Sequence, residues 1–235
     1  MKLKAVFFDA GETLLSPHPS FHELFSRVLS EQGFDRPPEK VAEVFEQMAP
    51  TFAEVIDKLA VSSWSISREA SLKFWGTLYG TALAEVEVPD PDGSIAGALY
   101  SKFTQYESYK LFPDSIPTLL AVKEAGLTVG LISNFEEWLE GMLIEMEVAG
   151  LFDLMVISGK EGVEKPDPKI FRLALERSGI DAGDAMYVGD NPRIDVEGAQ
   201  AVGMDAVLID RRGRHIGFEG VRIGSLDQLL PILDT

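Results

Sequence analysis

The chain has 235 residues, of which 46% are hydrophobic and 25% are charged, a composition typical of a folded protein with a sizeable core and unlike that of a disordered chain. It contains no cysteine, which excludes disulfide bonds, thiolate nucleophiles and cysteine-ligated zinc. The formal net charge of −17 repels nucleic acids and anionic membranes, so we expect neither as a partner.

The chain shows no pattern typical of export or membrane insertion. No apolar run approaches the roughly 20 residues that cross a bilayer. The apolar stretch that follows Lys4 is interrupted by Asp9, which makes it too short for a signal peptide. We therefore expect a cytoplasmic protein.

Five short apolar runs predict buried strands. They lack polar alternation, as is typical of strands covered on both faces of a parallel sheet. Helical patterns separate the later runs, which predicts an α/β fold with a doubly wound, Rossmann-like and mainly parallel sheet. The site of such a fold lies at the carboxyl ends of its strands. The five runs are Lys4–Phe8, Leu127–Ile132, Leu154–Ser158, Ala185–Val188 and Ala206–Ile209.

A helical segment separates the first strand from the others. We predict a core domain of residues 1–15 and 110–235 and an inserted all-α domain of residues 16–109. Because the insertion leaves from the carboxyl end of the first strand, we expect it to act as a lid above the site. Its helical patterns are Phe21–Leu29, Glu39–Leu59, Arg68–Leu83 and Ile95–Tyr106.

Four polar motifs lie at the carboxyl ends of predicted strands or in the loops beyond them. They are Phe8–Leu14 (FDAGETL), Ile132–Asn134 (ISN), Glu164–Phe171 (EKPDPKIF) and Val188–Asp195 (VGDNPRID). Together, in this order, they resemble the four motifs of the haloacid dehalogenase-like (HAD) hydrolase superfamily, and the helical insertion resembles the C1 cap of that superfamily. The resemblance spans nearly the whole chain.

The resemblance implies a Mg²⁺-dependent phosphatase that acts on a phosphorylated small molecule through an aspartyl-phosphate. Asp9 matches the nucleophile, since a carboxylate can attack phosphorus directly, and Lys165 would balance the charge. Mg²⁺ is a hard cation that prefers oxygen ligands. By resemblance, Asp9, the carbonyl of Gly11 and Asp190 would hold it, with Asp195 in support.

Three further residues are candidates for the phosphate site. By resemblance, Ser133 and the amide of Asn134 would hold the phosphoryl oxygens, and Thr13 would secure the loop beneath the site. Each motif also has a structural interpretation. Ser133 and Asn134 could cap the helix that follows them, and Asp195 could cap the helix predicted over Asp195–Val202.

The first motif departs from the phosphatase pattern Asp-x-Asp-Gly-Thr. Gly11 replaces the second Asp, the general acid and base of the family, and Glu12 replaces the Gly. General acid–base catalysis contributes about 10²–10⁴-fold. Its loss predicts slow turnover, or a substrate whose leaving group needs no proton. Glu12 is a candidate substitute, although neighbouring side chains on a tight loop diverge.

Gly11 leaves other functions open. A non-catalytic regulatory protein would bind phosphate and metal without turnover. A haloacid dehalogenase needs neither acid nor metal, but its usual aromatic-Gly-Thr signature is absent and Asp190 is retained. A phosphonate hydrolase needs a lysine in its cap, for which the candidates are Lys40, Lys58 and Lys73.

Overall fold

The computed structural model describes residues 3–48 and 63–233. The chain forms two compact units. We call the unit made of Met1–Ser16 and Leu111–Thr235 the core unit, and Pro17–Lys110 the helical unit. That the helical unit acts as a lid stays a prediction.

The core unit is built on a parallel sheet of six strands, which confirms the predicted α/β class. The strands of the protein are β1 (Ala5–Phe8), β2 (Leu15–Pro17), β3 (Tyr109–Leu111), β4 (Thr128–Ser133), β5 (Leu154–Ile157), β6 (Ala185–Gly189), β7 (Asp205–Ile209) and β8 (Arg222–Ile223). The sheet has the order β5-β4-β1-β6-β7-β8, while β2 and β3 form a separate two-stranded sheet. All five apolar runs are strands of the large sheet. The sixth strand, β8, has two residues and was not predicted.

Close packing in the middle of the sheet requires a glycine. Phe7 on β1 lies in register with Gly130 on β4, and both faces of β1 are buried. A Cβ atom at position 130 would overlap the ring of Phe7. A glycine in β4 therefore makes room for a core aromatic side chain on the strand that leads to Asp9.

The helices follow the predicted pattern with shifted ends. They are α1 (Phe21–Glu31), α2 (Pro38–Gln47), α3 (Arg68–Glu85), α4 (Ser94–Phe103), α5 (Ser115–Glu124), α6 (Trp138–Glu145), α7 (Ser158–Glu161), α8 (Pro168–Ser178), α9 (Gly198–Gln200) and α10 (Leu230–Leu233). The predicted helix over Glu39–Leu59 is described only as far as α2, because residues 49–62 lie outside the described part. No helix among the described residues is long and apolar enough to cross a membrane.

Local signals set several helix ends. Ser20 caps α1 by accepting a hydrogen bond from the amide of Glu23 at 3.1 Å. Asp167 caps α8 through the amide of Lys169, and α8 ends at Gly179 in the left-handed region. These are the residue types that helix ends favour.

The helical unit has its own apolar core. Helices α1 to α4 bury leucine, valine and aromatic side chains against one another. The rings of Phe21 and Phe103 stack with centroids 4.7 Å apart. Arg36 donates to the carbonyls of Val86 (2.6 Å) and Glu87 (2.9 Å), just beyond the end of α3. The carbonyls there are thus satisfied by a side chain.

Candidate active site

The order of the strands brings three motifs to one edge of the sheet. Strand β1 lies between β4 and β6, and Phe8 is in register with Leu131 and Val188. Asp9 follows Phe8, and its amide donates to the carbonyl of Val188 at 2.9 Å. The carboxyl ends of three adjacent strands therefore present Asp9, Ser133 and Asp190 side by side, as the sequence predicted.

The carboxylate of Asp9 is held through one oxygen. Its Oδ1 atom accepts hydrogen bonds from Ser133 Oγ and from Lys165 Nζ, both at 2.8 Å. No hydrogen bond to Oδ2 is found among the described residues. Asp9 is 7% exposed. One oxygen is thus fixed by two donors while the other retains its lone pairs.

Lys165 is the centre of the cluster. It is 2% exposed, and its Nζ donates to Asp9 Oδ1 (2.8 Å), Asp195 Oδ1 (2.6 Å) and Tyr187 OH (2.9 Å). Burial by itself lowers the pKa of Lys165, but the adjacent Asp195 and Asp9 carboxylates outweigh burial and raise it. The ammonium group is therefore charged, and its three protons are all used.

Asn134 positions the main chain of Lys165. Its Oδ1 atom accepts from the Lys165 amide at 2.6 Å, and its Nδ2 atom donates to the Lys165 carbonyl at 2.8 Å. The side chain of Asn134 is thus committed to joining the second motif to the third. The Asn134 side chain therefore does not cap the following helix.

Tyr187 is a member of the site that the sequence did not reveal. Its hydroxyl donates to the carbonyl of Ile132 at 2.7 Å and accepts from Lys165. Burial, together with the nearby Asp195 and Asp9 carboxylates, raises the pKa of Tyr187 well above its ordinary value, so the hydroxyl keeps its proton. Within an apolar strand the residue looked like core, and no sequence signal distinguished it.

Asp195 is buried beneath the cluster. It is 1% exposed. Its Oδ1 atom pairs with Lys165, and its Oδ2 atom accepts from the Asn191 amide at 2.9 Å. It does not cap a helix. Asn191 does so instead, through the amides of Arg193 and Ile194, where a π-helical turn begins at Pro192.

The three carboxylates fit a divalent cation. Asp9, Asp190 and Asp195 each offer an oxygen, and these oxygens lie within 4.8 Å of one another. Within the described residues, the Asp190 carboxylate forms no hydrogen bond or ion pair. Burial, with Asp195 and Asp9 close by, raises the pKa of Asp190 well above its ordinary value. The cluster has three carboxylates, and the single ammonium group of Lys165 pairs with two of them, Asp9 and Asp195. The excess negative charge is one that a hard cation would neutralise.

The loop of the first motif is secured differently from the prediction. Thr13 is fully buried, but its hydroxyl has no hydrogen-bond partner in the described part of the chain. The loop is held instead through the Thr13 carbonyl, which accepts from Arg211 Nη2 at 2.7 Å and from its Nε at 3.2 Å. No sequence motif had predicted this role for Arg211.

Glu12 is turned aside by its backbone. It has a φ of 52°, in the left-handed region. The glycine that the family pattern has at this position adopts that region easily. Its Oε2 atom forms an ion pair with Arg212 Nη2 at 2.7 Å. Beside it, a Cβ atom at Gly11 would meet only the Phe135 ring, at 3.9 Å. The position of the family's acid–base carboxylate thus has room for a Cβ atom.

The lysines considered for phosphonate chemistry give that function no support. Lys40 pairs with Glu43 at 3.1 Å on an exposed face, and Lys73 is exposed. Lys58 lies outside the described residues.

Comparison with known proteins decides the family. A family profile described as haloacid dehalogenase-like hydrolase matches residues 3–203. The chain belongs to the haloacid dehalogenase-like hydrolases. Phosphoserine phosphatase from Thermus thermophilus is 31% identical over 246 residues, which cover 97% of this chain and 98% of that protein.

Two further comparisons agree with this assignment. Haloacid dehalogenase-like hydrolase domain-containing protein 3 from Danio rerio is 29% identical over 209 residues, or 88% of this HAD chain and 85% of that protein. The HAD-hydrolase YfnB from Bacillus subtilis, solved bound to magnesium, covers all of both chains with a TM-score of 0.76 and 16% identity. At that identity the likeness shows the fold alone.

Replacing Lys165 tests the buried ion pairs. We expect Lys165→Met to lower the free energy of unfolding by about 3–5 kcal/mol, because two buried carboxylates lose their counter-charge. Lys160→Met is the matched control, since Lys160 pairs with Glu140 at 2.6 Å while both side chains are well exposed. That pair should contribute about 1 kcal/mol or less. Urea unfolding followed by circular dichroism measures both, and equal losses would contradict the role of Lys165.

Proposed function

We propose that the protein is a phosphatase that hydrolyses a phosphorylated small molecule with Asp9 as the nucleophile. The observation that carries the proposal is the buried Asp9 carboxylate, with one oxygen held by Ser133 and Lys165 and the other free of hydrogen bonds from the described residues. The 31% identity to a phosphoserine phosphatase along nearly the full length of both chains supports the same reaction.

In the first step, Asp9 Oδ2 attacks phosphorus and the ester P–O bond breaks. The products are an aspartyl-phosphate and an alkoxide that takes a proton from water. Lys165 and Ser133 fix Oδ1, so the attacking oxygen needs little reorientation. The positive charge of Lys165 offsets repulsion between the Asp9 carboxylate and the phosphoryl group. The main-chain amide of Asn134 would hold one non-bridging oxygen. Ser133 would hold another only by giving up its hydrogen bond to Asp9, since its hydroxyl has a single proton.

In the second step, water attacks phosphorus and releases Asp9. No carboxylate extends from position 11 to take a proton from this water or to give one to the leaving alkoxide. The carboxylate of Glu12 is already engaged by Arg212 at 2.7 Å. Esters with poor leaving groups would therefore react slowly, whereas acyl and aryl phosphates would react faster.

Mg²⁺ is the cofactor that the donor set favours. Asp9, the carbonyl of Gly11 and Asp190 would hold it, and Asp195 would support them from its contacts with Lys165 and Asn191. When bound, Mg²⁺ would supply positive charge at the phosphoryl oxygens. Without a cation, Asp190 is a desolvated carboxylate with no partner among the described residues, which makes binding favourable.

Replacement of Asp9 tests the proposed function. We expect the protein with Mg²⁺ to release inorganic phosphate from at least one member of a broad phosphometabolite panel. Asp9→Asn should reduce release to background, and a chelator should do the same to the unaltered protein. The control is Asp205→Asn, an exposed aspartate at the amino end of β7. Phosphate release by Asp9→Asn equal to that of the unaltered protein would overturn the proposal.

The metal site has a test that needs no turnover. At 100 times its Kd, a ligand stabilises a protein by about 2.7 kcal/mol, which corresponds to a rise of about 5–11 °C in Tm for a chain of this size. We expect Mg²⁺ to raise the Tm of the unaltered protein and of Asp205→Asn by such an amount. Asp190→Asn should raise the Tm of the metal-free protein and respond weakly to Mg²⁺. A full Mg²⁺ response in Asp190→Asn would rule out Asp190 as a ligand.

Restoring the family pattern tests the missing acid and base. The double variant Gly11→Asp with Glu12→Gly should hydrolyse alkyl phosphates faster, by up to about 10²-fold, because it restores the missing carboxylate at a position where a Cβ atom meets nothing closer than the Phe135 ring at 3.9 Å. Aryl phosphates should change little, since their leaving groups need less help from an acid. Steady-state rates on both ester classes measure this, and an unchanged alkyl rate would mean that the defect lies elsewhere.

Gly11 also favours a second candidate function. A regulatory HAD protein without an acid–base carboxylate would bind Mg²⁺ and phosphate analogues, detectable by calorimetry, and release no phosphate from any ester. Metal-independent release of halide from 2-haloacids would instead mark a dehalogenase.

A further inference from the structure

A polar cavity adjoins Asp190. Its volume is about 50 Å³, more than the roughly 30 Å³ that one water molecule occupies in the liquid. Glu12 and Asp190 form one part of its wall, and the loop after β7, residues 209–215, forms the rest. The cavity lies wholly within the core unit.

The loop is the most basic segment of an acidic protein. Residues 211–215 read Arg-Arg-Gly-Arg-His. No other four consecutive residues of the sequence include three arginines or lysines. The net charge of the chain is −17, so this group of cations creates a local positive field beside Asp190 that the rest of the chain opposes.

The loop is fixed in shape by Asp210. The carboxylate of Asp210 accepts from the amides of Arg214 (2.8 Å) and His215 (2.9 Å) and from Arg222 Nη1 (2.9 Å). Burial by itself raises the pKa of Asp210, but these donors outweigh burial and lower it. An ionised, fully bonded carboxylate therefore organises the loop around the cavity.

The arginines of the loop have different tasks. Arg211 is structural, since it forms an ion pair with Asp114 at 2.9 Å and packs 3.8 Å from the centre of the Phe112 ring. Arg212 holds the carboxylate of Glu12 at 2.7 Å, with both side chains partly exposed. The Arg214 side chain has no hydrogen bond or ion pair within the described residues. Arg212 and Arg214 are thus the cations available to a ligand in the cavity.

We propose that this cavity binds a carboxylate of the substrate, with Arg212 as the specificity-determining residue. This inference rests on the proposed phosphatase function. The Glu12 carboxylate already pairs with Arg212 at the cavity wall, and a substrate carboxylate replaces it there. Because the cavity borders Asp190, the substrate is a phosphorylated carboxylic acid with few bonds between its two anionic groups.

Two variants should then act in opposite directions. Arg212→Gln removes a charge-assisted partner of the ligand carboxylate and weakens its binding by about ten- to a hundredfold. Glu12→Gln removes the competing anion and tightens binding of the same ligand. Neither change should alter the binding of an ester that lacks a carboxylate. A general loss of folding could not produce this pattern.

Calorimetry on the Asp9→Asn background, with Mg²⁺, separates binding from turnover. The ligand pairs are phosphoglycolate with ethyl phosphate, and 3-phosphooxypropionate with propyl phosphate, which differ only by carboxylate against methyl. The control is Arg172→Gln, which removes the same charge from an exposed position on α8, a helix that packs against β4 and β5 on the other half of the sheet. Arg212→Lys should restore part of the affinity.

Each outcome has one meaning. Preference for the carboxylate ligands that Arg212→Gln abolishes and Arg172→Gln leaves intact supports the subsite. Equal affinity for both members of each pair, or an equal loss for both in Arg212→Gln, overturns the subsite while leaving the phosphatase proposal standing. Failure of every phosphate ester to bind overturns both.

Discussion

The buried ammonium group of Lys165 is the interaction on which the site depends. Moving such a charge out of water costs several kcal/mol, and the cost is offset only when good partners surround it. Lys165 has three, namely Asp9, Asp195 and Tyr187. They follow or lie on different strands, so the network forms only when β1 and β6 are in their observed register. Folding of the sheet and assembly of the reacting group are therefore one event.

The same register explains which parts of the protein its sequence could predict. Strands buried on both faces have uninterrupted apolar runs, and Asp9 and Asp190 follow two of them directly, so both the fold and the convergence of the motifs were readable. Strand β8 is too short to leave a pattern. Tyr187 could not be predicted as a site residue, because an aromatic residue inside an apolar strand has the pattern of a core residue. Its hydrogen bond to the Ile132 carbonyl forms only when β6 has joined the sheet.

The contacts of Arg211 and Arg212 with the first motif could not be predicted from the sequence, for a different reason. Arg211 and Arg212 reach the first motif across about two hundred residues of chain, and a basic loop far from a motif has no local periodicity that assigns it a partner. Only the parallel order of the strands, which puts the end of β7 beside the end of β6, brings this loop to the edge occupied by Asp190. Long-range pairing of side chains is a product of topology, which composition does not encode.

Charge also explains how an acidic protein could receive an anionic ligand. The net field of the chain opposes an approaching phosphate, so attraction must be local and short-ranged, within about 8 Å at physiological ionic strength. Three close carboxylates would bind a hard cation, and that cation together with Lys165 would reverse the sign of the potential at Asp9. The arginine loop extends this positive region away from the nucleophile.

Glu12 keeps Arg212 paired while no ligand is present, because an unpaired cation and an unpaired carboxylate at this edge would each be less stable than the ion pair. A ligand carboxylate that takes Arg212 would replace Glu12 in this ion pair. The departure from the family pattern at Glu12 and the basic loop thus meet in one ion pair, which links ligand recognition to the first motif.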